Sequence, residues 1–299
     1  MTSLSPAATT STPSARSRVS ATDARRPAPR PRPRPGRWLR EHLVVFFGAL
    51  GLLYLFVPIF VVVLFSFNQP TGRFNYTWVR FSTNAWAHPC AVSGMCDSLL
   101  VSIKIGVLAT LTATLLGTLA AFALGRHRFR GRAVTNVLIF LPMATPEVVA
   151  GSSLLTLFIN IGVPLGQLTI FIAHVMFCVS FVIVTVKARL AGMDPRLEQA
   201  AMDLYANRTQ TFLRVTLPLV LPGIVAAALL SFSLSFDDFI ITNFNSGSTV
   251  TFPMFVWGAY QRALPVQVNV IGTAMLLITL VVVGGGLLLR RRRPAAGRR

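Results

Sequence analysis

The chain has 299 residues, 53% of them hydrophobic and only 12% charged, with a mean hydropathy of +0.63. That balance excludes an ordinary water-soluble domain and fits a polytopic membrane protein whose solvent is mostly lipid. The formal net charge of +19 invites a nucleic-acid reading, but the basic residues cluster loop by loop and not on one binding surface, so no nucleic-acid partner is expected.

A hydrocarbon core of about 30 Å needs about 20 apolar residues per crossing helix. Six runs qualify: 43–67, 98–124, 133–160, 165–186, 219–241 and 268–289. The expected fold is therefore all-α, with six transmembrane helices forming a membrane domain over 43–290 and a cytoplasmic loop over 188–218 between helices four and five. Ahead of it, residues 1–42 include "RRPAPRPRPRPG", Arg25 to Gly36, and read as a disordered basic tail with polyproline II character. Its charge suits a solvated orienting tail or contact with anionic lipid headgroups. The apolar run that follows is longer than a signal-peptide core and lacks a small-residue cleavage site, so the first span is expected to remain as an anchor. Residues 291–299 form a second basic tail.

Of the 28 Lys and Arg residues, nine lie in the N-terminal tail, four in Arg126 to Arg132, five between Lys187 and Arg214, and six at the C-terminal end. Threading six spans puts all of these on one side. Arg73, Arg80 and Arg262 fall on the other side, and Lys104 lies inside the second span. The positive-inside rule then places both termini in the cytosol of a multi-pass protein of the cell membrane.

Cys90 and Cys96 share the first external loop, "HPCAVSGMCDS", where a disulfide is chemically permitted and left open by sequence. In the third span Pro142 and Pro146 predict a kink. Glu147 follows at once, about 21 Å from the cytoplasmic start of that span and so near mid-depth. In the fourth span Cys178 reads as an apolar packing residue, with His174 beside it as a polar group facing another helix.

The loop after the fourth span has folding signals of its own. Asp194 before Pro195 predicts an N-cap with proline at the first helical position, and "RLEQAAMDL" is rich in helix formers. A break is expected near Tyr205 and Ala206, and a second helix starts at Asn207, with Gln210 completing a capping box. Ala200 and Ala201 let a partner approach the backbone, while Leu197, Glu198, Asp203 and Leu204 supply apolar and acidic contacts around them.

This loop resembles the signature of permease subunits of ABC importers, a Glu-Ala-Ala followed by three residues, Gly, nine residues, then Ile-x-Leu-Pro. Here Gln199, Ala200 and Ala201 occupy the Glu-Ala-Ala positions, Tyr205 the Gly, and Val215 to Pro218 the Ile-x-Leu-Pro, with the full spacing kept. Gln199 removes a charge that the adjacent Glu198 is placed to replace. Tyr205 either takes the left-handed position itself, lets the break move to Asn207, or offers its ring to a partner pocket. The stretches "LTIFIAHVMFCVSFV", "LSFSLSFDDFIITNFNSG" and "FPMFVWGAYQRALPVQVNVIGTAML" are further similar to the second-type permeases of spermidine and putrescine importers, whose fold is the six-helix, type I importer permease.

The resemblance implies a bacterial transport subunit whose partners are a cytoplasmic ABC ATPase dimer, a second permease and an extracytoplasmic substrate-binding protein, with a polyamine as cargo. Its coupling residues are Glu198, Gln199, Ala200, Ala201, Asp203, Leu204 and Tyr205. Relatives of the subfamily also carry ferric iron, opines or aminophosphonates, and a secondary carrier or cation channel is the rival reading. The only lysines, Lys104 and Lys187, sit outside any Gly-Lys-Ser/Thr phosphate loop, and the four histidines have no metal-ligand spacing. No catalytic residue, cofactor or metal is expected, and ATP hydrolysis falls to a partner.

Within "LSFDDFIIT", Asp237 and Asp238 stand in an apolar run where each ionised carboxylate costs about 2.5 to 3.5 kcal/mol. At about 1.5 Å per residue, Asp237 lies about 27 Å along the fifth span, at its external mouth. Successive helical residues diverge by about 100°, so the two acids face one pathway only where the helix unwinds. Glu147, Asp237 and Asp238 are the candidate substrate-pathway residues.

Overall fold

A computed structural model describes residues 35–127 and 129–291. The basic tail expected over 1–42 falls outside these residues as far as residue 34, and that over 291–299 falls outside them from residue 292. The described chain is helical throughout, apart from loops and a single bridge between Asn68 and Phe81.

The chain divides at Pro58, inside helix α1 (Pro35–Phe65). In the unit before it, Val44 to Val57 present apolar side chains outward along the helix. The described part of α1 from His42 to Phe65 has the length and hydropathy of a membrane span. In the unit that starts at Pro58, the loop after α1 is tied by side-chain amides: Asn68 donates to Asn75 Oδ1 and to the Thr77 carbonyl, and Asn75 donates to the Phe65 carbonyl. Phe67 stacks with both Phe81 and Trp86, the latter on the short helix α2 (Asn84–Ala87). Cys90 and Cys96 are bridged, which settles the pairing that the sequence left open.

The body of this unit is built on α3 (Met95–Arg126). Small residues recur along one face of it, at Gly106, Ala109, Ala113, Gly117 and Ala121. In lipid such a stripe lets helix backbones approach closely, where packing has to supply the adhesion that water supplies elsewhere. Leu108, Leu111, Leu115 and Leu119 point outward from the opposite side.

The third apolar run is not one kinked helix. It is α4 (Arg132–Ala144) and α5 (Glu147–Asn160), bent by 103° at the break. Thr145 is extended, with ψ 131°, because the proline ring behind it disfavours the helical region, and Pro146 has no N–H to continue the ladder. Helix α6 (Gln167–Ala191) then packs along the small-residue face of α3. The cytoplasmic loop holds α7 (Arg196–Asp203) and α8 (Arg208–Thr211), and α8 passes through a π-helical turn, Phe212–Thr216, into α9 (Leu217–Asp237). Helix α9 packs on both α3 and α6. Ala113, Ala121, Leu124, Cys178, Val182, Val186, Val220 and Ala227 form the centre of that three-helix core.

Beyond α9 come α10 (Ile240–Asn245), α11 (Phe252–Arg262) and α12 (Val266–Arg291). Among the described residues, four helices are long and apolar enough to cross a membrane, and five if the bent pair counts as one span. In α12 the apolar stretch Val266–Val281 is shorter than a full span, so of the six expected spans the described residues show four helices and one bent pair, with this shorter stretch in place of the sixth.

The α3–α6 contact leaves no room at Gly117. A Cβ there would lie 2.7 Å from Val182 Cβ and Cγ1 and 3.2 Å from the Val179 carbonyl. Gly117→Ala is expected to separate the helices and destabilise the bundle by about 1–3 kcal/mol, read as a lowered unfolding midpoint of the detergent-solubilised protein.

Candidate functional site

Two regions carry the residues singled out by sequence: the loop containing α7, and the break after α9.

In the loop, Asp194 Oδ1 accepts the Arg196 N–H at 2.9 Å, while Pro195 precedes the first helical residue, one position from the sequence expectation. The second start is as expected. Asn207 Oδ1 accepts the Gln210 N–H at 2.8 Å and Gln210 Oε1 accepts the Asn207 N–H at 3.0 Å, a reciprocal capping box. The break is made by Tyr205, the one non-glycine residue with positive φ among the described residues, at 63°. A left-handed L-residue costs about 1–2 kcal/mol, so Tyr205 takes on itself the conformation that the family pattern gives to glycine. The residue is 98% exposed.

Leu197, Gln199, Ala200, Asp203 and Leu204 are also exposed, and Ala201 is half-buried. Leu197, Ala200, Ala201 and Leu204 share one face of α7 by helical spacing, so an apolar stripe is open on this helix. Glu198 does otherwise. It is paired with Arg126 at the end of α3 and accepts from the buried Thr216 hydroxyl at 2.5 Å. The expectation that Glu198 replaces the missing charge of Gln199 on the open face is therefore corrected: its carboxylate joins α7 to α3 and to the π-helical turn before α9.

The break after α9 separates the two neighbouring acids. Asp238 leaves the helix with ψ 121°, and the chain re-enters helix at Ile240. Its side chain turns inward, only 5% exposed. It accepts the Thr242 N–H and hydroxyl, each at 2.8 Å, and the Ile241 N–H at 3.4 Å. It thereby satisfies the donors that open the next helix, as a side-chain cap does. His174 of α6 lies 3.3 Å away through Nε2, which is also 2.9 Å from the Thr242 hydroxyl, while Nδ1 is 2.7 Å from the Ser235 hydroxyl of α9. His174 thus faces another helix, and the buried Cys178 packs one turn along. The sequence reading of His174 as a polar group facing another helix holds, but it did not identify the partners Ser235, Asp238 and Thr242. The spacing of His174 from Cys178 carries no signal of the partners it meets on α9 and α10.

Asp237 faces out. It is exposed on a cavity of about 610 Å³ walled by the aromatic residues Phe236, Phe239, Phe252, Trp257 and Tyr260. Phe239 and Trp257 are in ring contact, with centroids 5.4 Å apart. The α11 contribution was legible only as a recurrence of Phe252, Val256, Trp257 and Tyr260 on one helical face, without a hint of what that face meets. Glu147 is exposed at the first residue of α5, at the 103° bend, and makes no side-chain hydrogen bond or ion pair among the described residues. The described residues hold no group of three or more His, Cys, Asp and Glu side chains placed to hold a metal ion. Lys104 donates to Gln167 Oε1 at the start of α6 at 3.1 Å.

Residues 113–292, which include the α7 loop and the α9 break, match the family of binding-protein-dependent transport system inner membrane components. The chain belongs to this permease family. It is 35% identical over 227 residues to the spermidine/putrescine transport system permease protein PotC of Haemophilus influenzae, covering 76% of this chain and 88% of that protein. It is 36% identical over 235 residues to the putrescine transport system permease protein PotI of Escherichia coli, covering 76% and 83%. Among solved structures, a chain of a bacterial alginate ABC transporter in complex with an alginate pentasaccharide-bound periplasmic protein superposes with a TM-score of 0.64 at 14% identity, over 87% of this permease and 96% of that chain. A chain of the MetNI methionine ABC transporter in inward-facing conformations superposes with a TM-score of 0.51 at 15% identity, over 67% and 98%. The permease fold of ABC importers is thus shared, and the protein is a multi-pass component of a bacterial inner membrane transport system.

The two acids are expected to differ in what they support. Asp238→Ala strips the acceptor from Thr242 and His174 and should lower stability by about 1–3 kcal/mol, whereas Asp237→Ala should stay within about 0.5 kcal/mol. Tyr205→Gly relieves the left-handed residue and should raise the stability of the loop by about 1 kcal/mol. Unfolding midpoints in detergent, with limited proteolysis at the loop for the last variant, check all three.

Proposed function

We propose that this permease is one membrane half of an ATP-driven importer that carries polyamines of the spermidine and putrescine type inward. The observation that carries the reading is the placement of Asp237, an exposed carboxylate on an aromatic-walled cavity. A protonated amine gains there from both the carboxylate and the faces of the rings, whereas an anion is repelled. The spermidine and putrescine named for the relatives are cations of this kind, which supports the assignment. Glu147, exposed at the bend between α4 and α5, is a second carboxylate for the next ammonium group along an extended polyamine. Asp238 holds the helix break that turns Asp237 toward the cavity.

Energy enters at the α7 loop. The open stripe of Leu197, Ala200, Ala201 and Leu204, flanked by Gln199, Asp203 and the ring of Tyr205, docks in a groove of a separate ABC ATPase dimer. Glu198 then passes the displacement to α3 and α9. A second permease completes the pathway, a substrate-binding protein delivers the polyamine at the external face, and both termini lie in the cytosol. The cycle is a population shift between inward- and outward-open states, biased by nucleotide at one end and by the loaded binding protein at the other.

Asp237→Asn should lower spermidine and putrescine uptake by cells about tenfold or more, the loss of one charge-assisted contact. Ferric iron, opine and aminophosphonate uptake are measured beside it, and a selective loss of any of these would overturn the polyamine assignment. Ala200→Glu should abolish ATP-driven uptake while the protein still inserts. Transport by the chain alone in liposomes, driven by an ion gradient, would replace the importer reading with a secondary carrier.

A further inference from the structure

Two cavities meet at the end of the bundle where α3 finishes and α4 begins. One, of about 450 Å³, is lined by Arg126 at the end of α3, Arg132 at the start of α4, Lys187 in the last turns of α6, and Glu198 of α7. The other, of about 260 Å³, is walled by Ile139 and Phe140 of α4 and by Ile183, Val184 and Ala188 of α6. Lys187 and Ala191 line both, so the basic cavity adjoins the apolar one.

Three cations face a single carboxylate here. Glu198 is already paired with Arg126. Lys187 donates to Asn136 Oδ1 at 2.7 Å, which holds its ammonium at the junction without neutralising it. Arg132 makes no side-chain hydrogen bond or ion pair among the described residues. Helix α4 also has Gly131 as its N-cap, with no side-chain cap, so the positive end of a 13-residue helix lies at Arg132. The order of chemistry along the helices matters as much as the charge. The basic groups sit at or near the helix ends, where a bilayer has its headgroups, while Ile139 and Phe140 lie about two turns into α4 and Ile183 and Val184 about one turn deeper than Lys187 in α6, where it has its acyl chains.

We propose that this paired cavity binds an anionic phospholipid such as phosphatidylglycerol, with the phosphate at Arg132, Lys187 and Arg126 and an acyl chain along Ile139, Ile183 and Val184. Basic pockets between membrane helices on the cytoplasmic side are suited to such headgroups, and the adjoining apolar groove distinguishes a lipid from a free anion. Arg126 is shared, so the lipid phosphate and Glu198 of α7 draw on the same guanidinium. The site is independent of the cargo assigned above.

The test uses the purified full-length chain, delipidated in detergent and titrated with phosphatidylglycerol or phosphatidylcholine of the same acyl chains, with bound lipid counted by native mass spectrometry. Phosphatidylglycerol should be retained preferentially. Lys187→Gln and Arg132→Gln should each weaken it about fivefold. Ala188→Trp, which fills the groove from its exposed side, should weaken it without altering any charge, and circular dichroism confirms that each variant is folded. Equal retention of the two lipids, or phosphatidylglycerol binding unchanged in the charge variants, would overturn the proposal. Displacement by millimolar inorganic phosphate or glycerol phosphate would also overturn it, in favour of a free-anion site.

Discussion

The hydrocarbon interior offers no water to a broken helix, so every backbone donor and acceptor freed at a break must find a partner inside the protein. The interaction that meets this constraint at the break after α9 is the cluster of Asp238, His174, Ser235 and Thr242. It allows α9 to stop at Asp237 and α10 to start three residues later. The consequences reach well beyond it. Helix α10 lies against α5 through Asn245, which donates to the Gly151 carbonyl, and against α6 through Thr169, which donates to the Asn245 carbonyl. The same break turns Asp237 to the aromatic cavity. A buried acid–histidine pair is weak evidence of stability in general, since desolvation opposes its attraction. Its value here is positional, because it fixes where a helix may end.

The other half of the architecture is continuity. From Arg208 to Asp237 the chain is one unbroken 30-residue helical run, so the loop and the aromatic cavity are joined by a single rod. Its lower end is held by the Glu198, Arg126 and Thr216 contacts, and its middle is clamped by α3 and α6 across small side chains. Close-packed interiors of this kind move as units and do not deform continuously. A loop fastened to such a rod is well placed to pass displacement from one end to the other, which is the physical content of the proposed coupling.

Much of the architecture was written in the chain's periodicities. The Asn207 capping box follows from local hydrogen bonding, and the prolines of the third span marked an interruption there, though as a kink and not as a 103° break. The left-handed Tyr205 was one of three alternatives that the family pattern left open. The division of labour between Asp237 and Asp238 was not legible. Both acids have the same neighbours in sequence, and only the position of α6 brings His174 to one of them.

The sequence by itself determined that this is an all-helical membrane protein, where its apolar runs lie, and which loop carries the family's spacing, because lipid imposes length and hydropathy on each segment separately. The tertiary structure alone decided which acid is structural and which faces the cavity, that Glu198 turns inward to Arg126, and that basic and apolar cavities adjoin at Lys187. These depend on which helix faces touch, and that choice is made by packing between segments distant in sequence, where a glycine at 117 or a histidine at 174 acquires its meaning from the helix across from it.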